Sequence, residues 1–346
     1  MFHGEYSKSS PRPDHESLTT EMLENTGIVI IGRNEGERLV RCLSSVIAYS
    51  NKIIYVDSAS TDGSALSAKR MGAEVVALDM SIPFTAARAR NAGYSRMRHM
   101  FPQVEYVQFV DGDCELTDQW LEECVSFLVQ HPDIAVVCGK LHERYPDRSV
   151  YNMLCNIEWD APAGETKACG GNAMMRSAAF EQVKGFNNSL IAGEEPELCM
   201  RLRESGWKIW RLNHDMALHD AAILHFSQWW RRTIRTGYGY AEGAYLHGGV
   251  SERRWMREVL RALLWGIALP LLTLLLLLIT GSWGMLILLA YPLQVIKLAL
   301  RGKRSQRENW WHALFLVIGK FPEAIGQVRF LIHRLSKTSS RLIEYK

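Results

Sequence analysis

Short apolar runs alternate with amphipathic stretches along the first third of the chain. The runs at 27–32, 52–56, 73–78 and 106–110 have the length and β-branched content of buried strands. Helical periodicity follows the first two runs, and residues 86–98 read as a further helix. Alternating strands and helices favour an α/β fold of Rossmann-like type, with a mostly parallel sheet and helices on both faces.

Polar residues gather where these predicted strands end. Asn34 and Glu35 follow the first, Asp57 follows the second, and Asp111 and Asp113 close the fourth. The carboxyl edge of such a sheet is where ligands bind. Paired carboxylates suit a divalent cation that keeps coordination positions open for phosphates. A solvated acidic turn is the alternative for any one of these sites alone.

Composition and missing motifs narrow the choice of function. The net charge of +3 over 346 residues is too small to make nucleic acid the main partner. No GxGxxG follows the first strand and no GxxxxGK[ST] occurs, which disfavours a dinucleotide site and excludes a P-loop. Seven scattered cysteines without a CxxC pair indicate reduced thiols on a cytosolic face.

The last third of the chain has the pattern of a membrane anchor. Residues 262–280 and 284–300 are apolar enough to span a bilayer as a helical hairpin. Basic residues flank the pair: Arg253, Arg254, Arg257 and Arg261 before it, and Arg301, Lys303, Arg304 and Arg307 after it. By the positive-inside rule both flanks and the preceding α/β half are expected to be cytoplasmic. A buried soluble hairpin is the alternative.

Three regions follow from these patterns. Residues 1–26 are polar, carry no secretory signal and are expected to form a flexible tail. Residues 27–250 form the expected α/β domain. Residues 251–346 form the expected membrane-anchoring region, with an interfacial segment at about 310–330.

Two further stretches carry candidate chemistry. Gly170, Gly171 and Asn172 form a small-residue segment where backbone can approach a ligand closely, although an ordinary loop is the alternative. Glu194 and Glu195 open a helix with a third acid nearby. Crowded carboxylates raise one another's pKa, which suits a general base. Attraction to the positive end of the helix dipole is the structural alternative.

The spacing of these motifs resembles the family 2 glycosyltransferases, inverting enzymes of the GT-A fold. The residues that carry the resemblance are IIGRNE at 30–35, VDSASTDGS at 56–64, ARNAG at 89–93 and VDGD at 110–113. The resemblance implies a nucleotide-sugar donor and a divalent metal, Mg²⁺ or Mn²⁺. It places the following residues at the nucleotide sugar: Asn34, Glu35, Asp57, Arg90 and Asp111. Asp113 would bind the metal on the diphosphate.

The same resemblance assigns the acceptor half. Glu195 matches the second acid of the family's Glu-Asp motif, so it is the expected catalytic base, with glutamate replacing aspartate. Apart from the resemblance, neutral imidazole can ligate a metal, so His219 is a candidate to complete the metal shell, with a purely structural histidine as the alternative. The following residues are expected at the sugar and acceptor site: Gly170, Gly171, Asn172, Glu194, Gln228, Arg231 and Arg232. The last three resemble a Gln-x-x-Arg-Trp motif in altered order, and an amphipathic helix on the bilayer is the alternative.

The expected function is transfer of a sugar from a nucleotide diphosphate donor, expected to be a UDP-sugar, to a lipid-linked saccharide. The setting would be bacterial surface or exopolysaccharide assembly at the inner membrane, with the catalytic domain facing the cytoplasm. A processive polysaccharide synthase or a polyprenyl-phosphate glycosyltransferase is one alternative. A non-catalytic nucleotide-sugar-binding scaffold on the same fold is the other.

Overall fold

The structure is a computed structural model that describes residues 22–248 and 253–336. Most of the expected tail, the expected domain boundary near residue 250 and the last ten residues lie outside the described residues. The division into three regions therefore stays a prediction.

One mixed sheet forms the centre of the protein. Its strands are β1 (Thr26–Gly32), β2 (Ile53–Asp57), β3 (Glu74–Ala77), β4 (Tyr106–Asp111), β5 (Cys114–Leu116), β6 (Ile134–Glu143), β7 (Gly164–Glu165), β8 (Ala173–Arg176) and β9 (Lys208–His219). Their order is β3-β2-β1-β4-β8-β6-β9-β5, and β7 pairs with β9. The four predicted strands pair in parallel, as expected. Antiparallel β8 then joins them to the second half, so the complete sheet is mixed.

Helices cover the sheet and extend beyond it. The helices over the α/β part are α1 (Glu37–Ile47), α2 (Ser64–Arg70), α3 (Ala86–Met100), α4 (Trp120–Gln130), α5 (Val150–Trp159), α6 (Ser177–Gln182) and α7 (Glu194–Glu204). Those that follow β9 are α8 (Phe226–His247), α9 (Arg253–Leu263), α10 (Leu269–Thr280), α11 (Ala290–Arg301), α12 (Gln306–Ile318) and α13 (Lys320–Ser336). A π-helical turn joins α9 to α10, and a 3₁₀ segment joins α10 to α11.

A glycine lets α3 lie close against the sheet. An added Cβ at Gly93 would collide with side chains of Val29 in β1 and Val56 in β2. Overpacking of this kind costs typically about 1–3 kcal/mol, so glycine is favoured there despite its low helix propensity. The close approach sets the position of α3, and with it the position of Arg90.

The region after α8 contains the candidate membrane segment. Within the described part of the chain, Trp255–Arg301 is the one helical stretch long and apolar enough to cross a bilayer, judged by length and composition. The chain reverses at Gly281, whose φ is 64°. The Tyr291 hydroxyl then donates to the Trp265 carbonyl at 2.6 Å. The two-span transmembrane hairpin stays a prediction, as does the interfacial segment.

The C-terminal helix α13 packs closely against α8. An added Cβ at Gly237 in α8 would collide with the backbone of Glu323 in α13. An added Cβ at Gly326 would likewise collide with the carbonyl of Ile234. Backbones at this distance fix α13 against α8, which places the apolar helices beside the helix that borders the candidate site.

Candidate active site

The strand register brings the predicted polar residues to one edge of the sheet. Ile31 in β1 pairs with Asp111 in β4, and Gly32 pairs with Asp57 in β2. The N–H of Gly112 donates to the Ile31 carbonyl at 2.8 Å, so the chain turns sharply between the two aspartates. Asp111 and Asp113 therefore lie at the carboxyl edge, as the sequence predicted.

Arg90 connects this edge to the start of α7. Its side chain is 3% exposed. One guanidinium nitrogen, Nη2, lies 2.8 Å from Asp111 Oδ1. The other, Nη1, lies 2.8 Å from Glu194 Oε1 and 3.3 Å from Glu195 Oε1. The structure thus places Arg90 inside a cluster of three carboxylates. Contact with donor phosphates, expected from the resemblance, stays a prediction.

Glu195 has the protonation behaviour that a base needs near neutral pH. Burial and the neighbouring charge of Glu194 raise the pKa of Glu195 to about 7, against the lowering effect of Arg90. A carboxyl group with a pKa near the operating pH can both accept and release a proton efficiently.

The small-residue segment lies against this cluster. A Cβ at Gly171 would collide with Arg90 and would lie 2.6 Å from Asp111 Oδ2 and 3.2 Å from Glu195 Oε1. A Cβ at Gly170 would meet nothing within 4 Å. Asn172 is 2% exposed, and its Oδ1 accepts a hydrogen bond from the backbone N–H of Asp111 at 3.0 Å. Gly171 and Asn172 therefore belong to the same cluster.

The pairing of β5 with β9 assembles a candidate metal site. Cys114 pairs with His219, which places the His219 Nε2 3.1 Å from Asp113 Oδ2. Ligand atoms of these three residues lie within 4.8 Å of one another, the one group of this kind among the described residues. The Trp159 ring stacks on the His219 ring at 4.5 Å between centroids.

The chemistry of these candidate ligands fits a divalent cation. Asp113 offers a hard carboxylate oxygen and His219 offers an imidazole nitrogen. His219 Nδ1 is buried and makes no hydrogen bond to the described residues. Burial and the charges of Asp113 and Asp111 raise the pKa of the Cys114 thiol well above its usual range.

Hydrogen bonds connect the loops that follow β1 and β2. Asn34 adopts a φ of 56°, and its Oδ1 accepts a hydrogen bond from the Thr61 N–H at 2.7 Å. Asp57 is 7% exposed and accepts from the Ser60 N–H at 3.0 Å. Glu35 Oε2 forms an ion pair with Nη2 of Arg38 at 2.7 Å. Asn34 and Glu35 line a cavity. Asp57 is not part of its lining and accepts a hydrogen bond within the loop, so the expected contact of Asp57 with the nucleotide sugar stays a prediction.

Two cavities are lined by these residues, and a third shares lining residues with one of the two. The strand-edge cavity, of about 520 Å³, runs along residues 31–35 and 111–113. The α8 cavity, of about 410 Å³, lies between residues 168–172 and α8. The residues that line both are Asp111, Glu195, His219 and Arg235. The C-terminal cavity, of about 600 Å³, is lined by residues of α5 and α8 on one side and of α9, α11, α12 and α13 on the other.

The predicted residues at the start of α8 have different surroundings. Gln228 caps the helix by accepting hydrogen bonds from the backbone N–H groups of Leu224 and His225. Arg231 is exposed and lines none of these three cavities. Arg232 pairs with Glu158 at 2.8 Å and lines the α8 cavity. Of the three, Arg232 lies where an acceptor could reach it.

The family comparison matches the part of the chain that forms this edge. Residues 27–183 match the model of glycosyl transferase family 2, and residues 152–224 match the N-terminal domain of galactosyltransferase. Residues 27–183 form a family 2 glycosyltransferase domain. The resemblance found in its motifs is confirmed, and the protein is a glycosyltransferase.

Individual relatives and a solved structure support the same assignment. Glycosyltransferase AglE of Haloferax volcanii is 24% identical over 259 residues, covering 71% of this chain and 81% of the relative. Putative glycosyltransferase EpsE of Bacillus subtilis is 27% identical over 194 residues, covering 53% and 69%. A solved mannosyltransferase from Pyrobaculum calidifontis, in complex with GDP-Man and Mn²⁺, matches with a TM-score of 0.53 at 16% identity, covering 89% and 87%. The predicted GT-A fold is confirmed.

Sequence reasoning missed two residues that lie in the candidate site. Trp159 stacks on His219, and Arg235 lies between two cavities. Trp159 carries no motif, and only the fold brings it to His219. Arg235 lies three residues after Arg232 on the same helix, and this helical spacing is a signal that could have found it.

We expect Gly171→Ala to abolish most activity. The added methyl group would displace Asp111, Glu195 or Arg90, and a misplacement of about 1 Å in such a site can cost about 100-fold in rate. Gly170→Ala is the matched comparison, with a much smaller expected loss because its methyl group would enter open space. Initial rates of sugar transfer measure both. Equal losses in the two variants would refute the assigned role of Gly171.

Proposed function

We propose that this glycosyltransferase is a membrane-anchored, metal-dependent, inverting enzyme that moves a sugar from a nucleotide diphosphate donor to a lipid-linked saccharide. The observation that carries the proposal is the meeting of two cavities at Asp111, Glu195 and His219. A donor in the strand-edge cavity and an acceptor in the α8 cavity would meet beside a carboxyl group of raised pKa.

The acidic residues at the carboxyl edge of the sheet support the proposed site for the donor. Asn34 and Glu35 would contact the nucleoside with Asp111, and Asp57 would hold their loop in place. Asp113 and His219 would hold Mg²⁺ or Mn²⁺, which when bound supplies positive charge to the diphosphate. The Pyrobaculum mannosyltransferase with the same fold was solved with GDP-Man and Mn²⁺. A UDP-sugar remains the expected donor, with GDP-sugars as the first comparison.

Glu195 would act as the base. The acceptor hydroxyl gives its proton to the Glu195 carboxylate as its oxygen bonds to the anomeric carbon. The bond from that carbon to the diphosphate oxygen breaks at the same time, and the electron pair leaves with the nucleoside diphosphate. Arg90 would hold the Glu195 carboxylate in place while Glu194 balances the charge of Arg90.

The proposed acceptor site is supported by the residues that the α8 cavity and the C-terminal cavity share. Both are lined by Glu158, Arg232, Thr236 and Tyr240. The far wall of the C-terminal cavity includes apolar side chains from the C-terminal helices, among them Trp265, Leu298 and Leu316. A saccharide in the first cavity could therefore continue into a lipid chain in the second.

Membrane attachment is supported by the apolar stretch Trp255–Arg301 and its basic flanks. The positive-inside rule favours an inner-membrane protein with its catalytic domain in the cytoplasm, where nucleotide sugars are made. Surface or exopolysaccharide assembly is the pathway class in which we place it.

The experiment for this proposal is a donor screen on purified protein in lipid. UDP- and GDP-sugars would be offered with a lipid-linked saccharide and with the same saccharide lacking its lipid, and released nucleotide would be measured. We expect one donor class to be used, with the lipid-linked acceptor strongly preferred. Equal use of both acceptors would refute the lipid-linked assignment. Absence of turnover with every donor would favour the scaffold alternative, and long products would favour a synthase.

We expect Glu195→Gln to lower the turnover rate by at least about 100-fold, because a general base contributes typically about 10²–10⁴-fold. Glu204→Gln, an exposed acid at the end of the same helix, is the matched control and should behave as wild type. Donor affinity should change little in either variant. A mild effect at Glu195 would show that another group takes the proton.

The pH profile provides a separate test of the same residue. The pKa of Glu195 is raised to about 7, so the carboxylate is protonated below that pH and cannot accept a proton. The rate should therefore fall about tenfold per pH unit below 7 and level off above it. The acidic limb should be lost in Glu195→Gln. A limb that persists unchanged in this variant would contradict the assignment.

We expect Asp113→Asn to lose metal-dependent donor binding. The neutral amide removes the hard anionic ligand beside His219. Asp118→Asn, an exposed acid five residues later, is the control. Mn²⁺ binding followed by electron paramagnetic resonance, and donor affinity with and without chelator, measure the effect independently of turnover. Full activity in excess chelator would exclude a metal requirement.

A further inference from the structure

We infer that Arg235 binds the diphosphate of the nucleotide donor and stabilises it as it leaves. The inference rests on the proposed function. Arg235 lines both the strand-edge cavity and the α8 cavity, and it shares this position only with Asp111, Glu195 and His219 among the residues described for those cavities. It is therefore the one arginine that lines both of these cavities, which meet where the sugar–diphosphate bond would break.

At the junction, which is where the strand-edge cavity and the α8 cavity meet, the surrounding charges favour a further cation. Asp111 and Glu195 are acidic, and Arg90 is shared among three carboxylates. A metal ion at Asp113 would be partly neutralised by its own ligand. The departing nucleoside diphosphate gains a negative charge as the bond breaks, so a further cation at the junction stabilises the transition state more than the ground state.

Arginine is the side chain suited to this task. Its planar guanidinium can donate two parallel hydrogen bonds to phosphate oxygens and stays charged at all relevant pH values. The neighbouring arginines of α8 differ in position, since Arg231 is exposed and Arg232 pairs with Glu158. One further turn of the helix brings Arg235 to the junction.

The test measures binding of UDP and GDP by calorimetry in the presence of Mn²⁺, with uridine and guanosine as phosphate-free probes. We expect Arg235→Gln to weaken affinity for the preferred nucleoside diphosphate roughly 10- to 100-fold, the loss of one charge-assisted contact. Affinity for the matching nucleoside should be unchanged. Arg235→Lys should recover part of the loss. Arg70→Gln, which removes an exposed charge on α2, is the control.

Turnover gives the second readout. Because the contact strengthens as the bond breaks, Arg235→Gln should lower the turnover number at saturating donor as well as donor affinity. Melting temperatures close to wild type, checked on both Arg235 variants, would exclude misfolding as the cause.

The outcomes separate the two claims. If wild-type protein binds UDP or GDP and transfers sugar, but Arg235→Gln binds diphosphate within twofold of wild type, the role of Arg235 is refuted and the proposed function stands. The role of Arg235 is equally refuted if its affinities for nucleoside and nucleoside diphosphate fall together. If wild-type protein neither binds these nucleotides nor uses any donor, the proposed function fails and the inference fails with it.

Discussion

The ion-pair cluster around Arg90 is the interaction on which the rest of the site depends. A single buried guanidinium holds Asp111, from the end of β4, against Glu194 and Glu195, from the start of α7. Without that charge the three carboxylates would repel one another in a buried place, and uncompensated buried charges are strongly destabilising. The cluster therefore joins the nucleotide half of the sheet to the helix that carries the expected base.

This arrangement also explains how one carboxyl group acquires a pKa near 7. Burial and Glu194 raise the pKa of Glu195, while Arg90 limits the rise. A carboxyl group with this pKa is about half ionised at neutral pH, so it can both accept and release a proton. The position of Gly171 is part of the same constraint, since any side chain there would collide with the cluster.

The sequence predicted the parts of the fold that depend on local pattern. The apolar runs of β1, β2 and β4 and the polar residues after them were all visible, because strand burial and turn chemistry act over a few residues. The antiparallel insertion of β8, the partners of Arg90 and the stacking of Trp159 on His219 were not visible. These contacts join residues far apart in the chain, and no local rule encodes them. The sequence also did not predict that Gln228 caps α8. The N-cap residue is His225, and histidine is not among the residues that usually occupy an N-cap.

The reaction that we propose is a single displacement in which Glu195 takes the proton while the acceptor attacks opposite the departing diphosphate. The anomeric configuration of the product tests it most directly. With the donor identified by the screen, the one-bond carbon–proton coupling at the new anomeric centre would be measured by nuclear magnetic resonance before any later step. The account predicts inversion, giving a β-linked product from an α-linked donor. A product that retains the α configuration would contradict it.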